Sequence, residues 1–325
     1  MQPIEKIQHR LAPELSRMNE IIRESLATPN ALMNQVVTEY LKSKGKQIRP
    51  ILVMLSAQFF GGVTPDSLYA GAALEMLHNA SLIHDDVVDE TMLRRNLPTI
   101  NAGWGNHLAV LVGDFFVSNA LAAGIRTGHL SVITALSELG KELSLGEVDQ
   151  ICNVREHHFD EQSYIDMIRK KTASLFMNCV KMGGQTAGAD EEQIAPMVTY
   201  AEYLGLCFQI RDDIFDYYND TAIGKPTGND LREGKVTLPL LYALAAAKDQ
   251  KEAEKYRQLI MRGNLTTEDI DTLVDFAKRE GGVDYAYDYM RACQQKANKI
   301  LEMYPESEWR ECFADLFEYI IMRDR

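Results

Sequence analysis

Two short acidic clusters in apolar surroundings constrain the fold of this chain more than any other feature of its sequence. Residues 85–89 and 212–216 share the pattern Asp-Asp-x-x-Asp, and the residues between the aspartates are valine, isoleucine and phenylalanine. A carboxylate is costly to bury unless a positive charge or hydrogen-bond donors compensate it. The chain must therefore bury these apolar residues while presenting the neighbouring carboxylates to something positive.

Apolar residues recur at helical spacing along most of the chain, whereas the alternating pattern of a strand between hairpin turns is nearly absent. Thr64-Pro65 and residues 160–163 and 266–269 have the composition of helix starts. The segments with helical periodicity are 31–41, 51–60, 65–82, 108–123, 131–153, 164–183, 194–218, 238–247, 267–280 and 283–304. We predict an all-α fold in a single domain over residues 1–325, with a long functional loop at 219–234.

Composition and charge exclude several classes of protein. The formal net charge is −13, which argues against a general nucleic-acid binder, because such a protein needs a basic surface. The five cysteines are odd in number and form no Cys-x-x-Cys pair, which favours reduced thiols in the cytoplasm. We find neither the apolar core of a secretory signal in the first ten residues nor a long uncharged run, and expect no membrane anchor.

The aspartates of each cluster are spaced to share one face of a helix. Residues four apart lie on the same helical face, so Asp85 points with Asp89 and Asp212 with Asp216. Carboxylates in this arrangement suit Mg²⁺, which takes oxygen ligands and keeps water or phosphate oxygens in its shell. A solvated acidic face is the plainer alternative, but the apolar residues inside each cluster argue against it. No histidine is placed to organise a zinc site.

Basic residues accompany both clusters at positions suited to a diphosphate. Arginine binds phosphate oxygens through paired hydrogen bonds, and lysine supplies a point charge. Each basic residue alone would be interpreted as a surface charge, but together with the two clusters they predict a polyanion site. They are Lys46 and Arg49 before the first cluster, Arg94 and Arg95 after it, Lys171 beside Thr172 in mid-chain, and Lys225 and Lys235 after the second cluster.

These motifs closely resemble those of the trans-isoprenyl diphosphate synthases (polyprenyl synthetases), over residues 45–239. The first motif is LIHDDVVD at 82–89 followed by RRNLPT at 94–99, and the second is GLCFQIRDDIFD at 205–216. A loop with GKP at 224–226 and EGK at 233–235 follows the second motif. Within the family, the resemblance is closest to the long-chain octaprenyl and solanesyl diphosphate synthases.

The resemblance implies an all-α isoprenoid synthase fold, a helical bundle around a deep central cavity with the two acidic motifs facing each other across its mouth. It also implies a homodimer that binds three Mg²⁺ ions, isopentenyl diphosphate and an allylic diphosphate. The implied metal ligands are Asp85, Asp89 and Asp212, assisted by Asp86, Asp213 and Asp216. The implied allylic diphosphate contacts are Arg94, Lys171, Thr172, Gln209, Lys225 and Lys235, and those of isopentenyl diphosphate are Lys46, Arg49, His78 and Arg95.

The implied reaction is a head-to-tail condensation that begins by breaking the allylic C–O bond. The residues implied to carry it are Asp85, Asp89, Arg94, Lys171, Thr172, Gln209 and Asp212. In the family, aromatic residues just before the first motif close the product tunnel, whereas this chain has Ala80 and Ser81 there. We therefore predict a long all-trans product, of octaprenyl or nonaprenyl length, for a quinone side chain.

Other interpretations stay open on the sequence alone. A farnesyl or geranylgeranyl diphosphate synthase would share the motifs, and a class I terpene cyclase would need no second diphosphate site. The chain could also be one subunit of a heteromer, whereas a helical scaffold would explain neither acidic cluster. Residues from Lys248 onward carry no motif that we can assign. Arg323 and Arg325 could reach a phosphate, but we expect them to be solvated terminal charges.

Overall fold

Helices account for nearly all regular structure in the computed structural model, which describes residues 2–42, 45–95, 97–218 and 227–323. The prediction of an all-α fold is therefore confirmed. The helices are α1 Pro3–Arg10, α2 Ala12–Ser25, α3 Ala31–Tyr40, α4 Ile48–Phe59, α5 Pro65–Val88, α6 Ile100–Trp104, α7 Asn106–Arg126, α8 Leu130–Glu156, α9 Glu161–Ile168, α10 Ser174–Thr186, α11 Glu191–Phe215, α12 Asn229–Arg232, α13 Leu238–Ala246, α14 Gln250–Arg262, α15 Thr267–Arg279, α16 Gly282–Leu301 and α17 Glu308–Met322.

Two short irregular elements interrupt the helical pattern. In the described part of the chain the only strands are β1 Leu93–Arg94 and β2 Leu97–Pro98, which pair antiparallel. A π-helical turn, Arg169–Ala173, separates α9 from α10, so the predicted helix over 164–183 is not one regular helix. Such π-helical turns are frequent at functional sites.

The predicted helix starts are confirmed by their capping hydrogen bonds. The side chain of Thr64 accepts from the amide of Ser67 at the start of α5, which has a proline in its first turn. Asp160 caps α9 and Thr266 caps α15 in the same way. A cap of this kind stabilises a helix by about 1 kcal/mol, because it satisfies an otherwise unpaired backbone donor.

The chain forms two compact units. Unit 1 comprises Met1–Lys141, Leu175–Val198 and Glu306–Phe313, and unit 2 comprises Glu142–Ser174, Thr199–Pro305 and Ala314–Arg325. The single domain over residues 1–325 stays a prediction.

Unit 1 is organised around α5, which packs along α7 and against α2 and α4. The first half of α5 is built of small buried residues, which allow neighbouring helices to approach closely. At Gly71 an added Cβ would lie 2.7 Å from the Met54 methyl, and at Gly113 on α7 it would lie 2.1 Å from the His84 ring. These close approaches fix α5 and the acidic cluster at its carboxyl end.

In unit 2, α13 packs against α15 and α16. Leu238, Leu240, Leu241 and Leu244 of α13 are all buried. Burying a leucine side chain contributes about 1.5–3 kcal/mol, so this helix is a principal part of the apolar core of the unit. Gly282 begins α16 where a Cβ would lie 1.9 Å from the Pro239 carbonyl oxygen, so only glycine permits this contact.

Helix α7 is the one described helix long and apolar enough to cross a membrane by length and composition. Within its most apolar 18-residue window, 39% of residues are buried inside the protein. A core helix of a globular protein passes the same test.

Candidate active site

The first acidic cluster lies at the carboxyl end of α5, with Asp89 as the capping residue. Asp86 is 3% exposed, and its Oδ1 accepts hydrogen bonds from Arg94 at 2.7 and 2.9 Å. Asp85 is half-buried and Asp89 is exposed. Negative charge at a helix carboxyl end is opposed by the helix dipole, at about 0.3–1 kcal/mol per charge. The cluster is thus a place where a bound cation would relieve repulsion.

A short hairpin returns Arg94 to the helix that precedes it. The β1–β2 pair reverses the chain, and Thr99 donates to the carbonyl oxygen of Thr91 at 2.7 Å. Asn101 donates to the backbone carbonyl of Asp86, which ties the segment after the hairpin to α5. Arg94, predicted to contact the allylic diphosphate, is therefore held first of all by Asp86.

The residues predicted to bind isopentenyl diphosphate gather in unit 1. His78 is buried on α5, and burial followed by the charges of Arg49, Arg95 and Arg94 lowers the pKa of His78 well below 6.5. The imidazole is consequently neutral at pH 7 and offers a hydrogen bond rather than a charge. Gly45, next to Lys46, lies against Arg95, since an added Cβ would be 2.7 Å from a guanidinium nitrogen.

A cavity of about 80 Å³ adjoins this basic group. Gly45, Glu75 and Arg95 line it, together with Tyr40 and Asn79. The Tyr40 hydroxyl donates to the Asn79 side chain at 3.0 Å. A polar pocket bordered by an arginine is suited to an anionic group.

In the second acidic cluster, at the carboxyl end of α11, each of the three carboxylates already has a partner. Asp212 forms an ion pair with Arg323 at 2.6 Å. Asp213 accepts from the Tyr164 hydroxyl at 2.6 Å and from the Gln209 amide at 2.8 Å. The two oxygens of Asp216 accept from the backbone amides that begin α12, both at 2.9 Å.

Burial raises the pKa values of carboxylates in and beside the second cluster. Burial raises the pKa of Asp213 to about 7, although its two hydrogen bonds oppose the shift. Burial and the charges of Asp213 and Asp216 also raise the pKa of Asp230 well above its ordinary value. Carboxylates that raise one another's pKa values mark a site where a proton or a cation is needed.

The prediction that Arg323 is a solvated terminal charge is wrong, because this residue is buried. It is 8% exposed, donates to the Phe208 carbonyl as well as to Asp212, and stacks 4.1 Å above the Phe208 ring. Its own carbonyl oxygen accepts two hydrogen bonds from Arg211. The apolar residues directly before it, up to Met322, were a sequence signal that this end of the chain packs. Arg325 lies outside the described residues.

The predicted allylic diphosphate residues of unit 2 line one cavity of about 170 Å³. Lys171 lies in the π-helical turn, where it pairs with Glu147 and donates to Gln150 at 3.0 Å. Gly146 permits this approach, since a Cβ there would lie 2.8 Å from the Lys171 backbone nitrogen. The predicted site residues that line the cavity are Lys171, Thr172, Gln209, Asp213 and Lys235. Lys225 lies outside the described residues.

Hydrogen bonds order the wall of this cavity. Thr172 donates to the side-chain oxygen Oε1 of Gln209 at 2.7 Å, and the side-chain amide of Gln209 in turn donates to Asp213. Tyr164 donates to the other oxygen of Asp213. The sequence did not single out Tyr164, because a tyrosine on an amphipathic helix resembles an ordinary core residue.

The carboxylates fit a magnesium site by their chemistry. Among the residues that the structure describes, no three aspartate, glutamate, histidine or cysteine side chains converge on one point. Mg²⁺ is commonly held by one or two carboxylates while water and substrate phosphates fill its shell. The half-buried Asp85 and exposed Asp89 are suited to that mode, as is Asp212 with its side chain 41% exposed.

Ala80 and Ser81, predicted to influence product length, lie on α5 just before the acidic cluster. Ala80 is 0% exposed. Ser81 is half-buried and donates to the His78 carbonyl oxygen at 2.9 Å. Any group larger than a methyl at position 80 must therefore displace neighbouring side chains.

Residues 30–277 match the family model described as polyprenyl synthetase. The chain is 35% identical to an octaprenyl diphosphate synthase of Haemophilus influenzae, covering 96% of this chain and 95% of that protein. A polyprenyl synthase of Caulobacter crescentus, solved in complex with calcium and isoprenyl diphosphate, is 30% identical with a TM-score of 0.92, covering 99% and 98%. A geranylgeranyl pyrophosphate synthase of Bacteroides thetaiotaomicron is 37% identical with a TM-score of 0.85, covering 99% of each chain. With such agreement in sequence and in fold, this chain belongs to the polyprenyl synthetase family.

Proposed function

We propose that this trans-prenyltransferase, a polyprenyl diphosphate synthase, condenses isopentenyl diphosphate head to tail with an allylic diphosphate in a Mg²⁺-dependent reaction. The observation that carries the proposal is the cavity lined by Lys171, Thr172, Gln209 and Lys235 beside the buried Asp213. It combines cations for a diphosphate with a carboxylate that lacks charge compensation. The basic group of Arg49, His78 and Arg95 supports a second diphosphate-binding site.

Each cluster would contribute metal ligands, with Asp85, Asp89 and Asp212 in the principal roles and Asp86, Asp213 and Asp216 in support. Bound Mg²⁺, three ions by resemblance to the family, would neutralise the charge that builds on the leaving diphosphate. Asp86 and Asp216 would act mainly by holding Arg94 and α12 in place, given the contacts that they make. Asp213 would orient Gln209 through their hydrogen bond.

The side chains of the cavity would assist departure of the diphosphate. Lys171 and Lys235 would neutralise its oxygens, with Arg94 and Lys225 as further contacts, and this is electrostatic stabilisation of the transition state. Lys171 would exchange its contact with Glu147 for the substrate. The double bond of isopentenyl diphosphate, held by Lys46, Arg49, His78 and Arg95, then attacks the allylic carbon. A proton is lost to the departing diphosphate, so no side-chain base is needed.

Turnover of the purified chain tests this proposal. With Mg²⁺, farnesyl diphosphate and labelled isopentenyl diphosphate, we expect a labelled polyprenyl diphosphate whose formation stops when EDTA removes the metal. Release of a cyclic hydrocarbon without consumption of isopentenyl diphosphate would instead indicate a terpene cyclase. A chain that is active only after a second subunit is added would be the catalytic member of a heteromer.

We propose a long product, of octaprenyl or nonaprenyl length, that supplies a quinone side chain. The small side chains of Ala80 and Ser81 support this length, as does the octaprenyl relative, whereas the geranylgeranyl relative favours a shorter one. Ala80→Phe should shorten the product, and Ala57→Phe is the matched control because it enlarges another buried alanine of unit 1. Equal chain lengths in wild type and Ala80→Phe would contradict the role of position 80.

We propose that the partner of this chain is a second copy of itself. Along one side of α7, Val110, Leu111, Leu121 and Ile125 are 40–62% exposed, and an exposed apolar stripe favours association. Light scattering should give the mass of a dimer for the wild type and of a monomer for the double variant Leu111→Glu, Ile125→Glu. Met303→Glu, at an exposed apolar residue outside α7, should stay dimeric.

The five cysteines, all free thiols, support a cytoplasmic location.

A further inference from the structure

Glu75 is a half-buried acid of unit 1 that lies beside basic residues of that unit and belongs to none of the sequence motifs. It lies on α5, ten residues before Asp85, and lines the small cavity beside Arg95. Its Oε2 is buried and accepts no hydrogen bond from the residues that the structure describes. A buried carboxylate oxygen is costly unless a nearby charge compensates it.

Two arginines supply that compensation through their charge. Burial raises the pKa of Glu75, and the positive charges of Arg49 and then Arg95 act against this rise. The same two guanidinium groups lower the pKa of His78. Because residues three apart share a helical face, Glu75 and His78 meet this pair of arginines from neighbouring positions of α5.

The surroundings of Glu75 hold both the acid and Arg95 in place. Asn79 donates from its side chain to the Glu75 carbonyl oxygen at 2.7 Å and accepts from Tyr40. Arg95 has a left-handed backbone with φ of 53°, and its guanidinium group lies against Gly45. Arg95 is therefore bordered by Gly45 on one side, and Glu75 lines the same cavity.

We propose that Glu75 is a positioning residue that holds Arg49 and Arg95 in the geometry required to bind the diphosphate of isopentenyl diphosphate. This inference rests on the proposed function. Two guanidinium groups beside a neutral imidazole repel each other, and a carboxylate on α5 offsets that repulsion before substrate arrives. An arginine has five N–H donors, so attraction to Glu75 leaves donors for phosphate oxygens.

Glu75→Gln tests the proposal, because it removes the charge and keeps the size of the side chain. We expect the KM for isopentenyl diphosphate to rise about tenfold, the size expected for loss of one charge interaction, with kcat and the KM for farnesyl diphosphate nearly unchanged. Glu75→Asp keeps the charge and should restore most of the affinity. Glu39→Gln makes the same change at an exposed acid of α3 and should have no effect.

A second measurement separates this inference from the proposed function. Calorimetry with inorganic pyrophosphate and no metal should show about tenfold weaker binding to Glu75→Gln than to the wild type, whether or not the enzyme turns over. Absence of prenyl transfer by the wild type would refute the function and leave this comparison valid. Unchanged pyrophosphate binding, or equal loss of both substrates in Glu75→Gln and Glu75→Asp, would overturn the positioning role.

Discussion

The two acidic clusters have the same sequence pattern, but their aspartates differ in their hydrogen-bond and charge partners. In the first, only Asp86 is buried, and Arg94 neutralises it, while Asp85 is half-buried and Asp89 is exposed at the carboxyl end of α5. In the second, all three carboxylates already have partners, and burial raises the pKa of Asp213. The buried aspartate of the first cluster therefore has an arginine partner, whereas the buried Asp213 of the second has only uncharged hydrogen-bond donors. The neighbours, rather than the spacing, decide what each aspartate does.

The largest effect should come from removing an accessible carboxylate of the first cluster. We expect Asp85→Asn to lower kcat by about 10³-fold, the range seen when one electrostatic contact of a transition state is lost. Asp216→Asn should cost far less, because the amide oxygen can keep one of the two hydrogen bonds from the α12 backbone. Steady-state assays of both variants measure the difference, and equal losses would show that the two clusters act alike.

The ion pair between Asp86 and Arg94 should contribute strongly to the free energy of unfolding. Arg94→Ala leaves Asp86 buried and uncompensated, so we expect the free energy of unfolding to fall by about 3 kcal/mol. Adding Asp86→Asn should recover much of that loss, because the buried charge is then gone. Urea denaturation of the single and double variants measures the coupling. Additive losses would mean that the pair contributes little.

The two regions should also respond to pH with opposite signs. The folded pKa of His78 lies well below 6.5, so the unfolded chain binds the extra proton and stability falls as pH drops below 6.5. The folded pKa of Asp213 is about 7, above its unfolded value of 3.8, so stability falls as pH rises between those values. Each slope is at most about 1.4 kcal/mol per pH unit. His78→Gln and Asp213→Asn should each remove one slope in urea titrations from pH 4.5 to 7.5.

The smallest expected contrast concerns the last aspartate of each cluster. Asp216→Ala should lower the free energy of unfolding by about 1 kcal/mol, because two amides of α12 lose their acceptor. Asp89→Ala should raise it by about 0.5 kcal/mol, because it removes a negative charge from a helix carboxyl end. Thermal unfolding without metal compares them. A loss of stability in Asp89→Ala would show that this carboxylate also makes a structural contact.

Periodicity and capping residues predicted most of the fold, since both act within a few residues of the chain. Each of the ten predicted segments overlaps a helix, although a π-helical turn interrupts segment 164–183, and α1, α2, α6, α12, α14 and α17 were not among the predictions. Partners distant in sequence could not be predicted. Asp212 meets Arg323 after 111 residues, and Asp213 meets Tyr164 across 49. For the site, the sequence indicated the acidic and basic groups but not Glu75 or Arg323, whose significance depends on packing.

The hydrogen-bond chain from Thr172 through Gln209 to Asp213 has a direction, and that direction determines what the cavity can offer. Thr172 donates its one hydroxyl hydrogen to the side-chain oxygen of Gln209, and Gln209 donates one of its two amide hydrogens to Asp213. The hydroxyl therefore turns lone pairs, not a proton, toward the cavity. By its chemistry such an oxygen is suited to a developing positive charge, whereas a phosphate oxygen requires a donor. Thr172→Val, which keeps the shape and removes that oxygen, would separate stabilisation of positive charge from diphosphate binding.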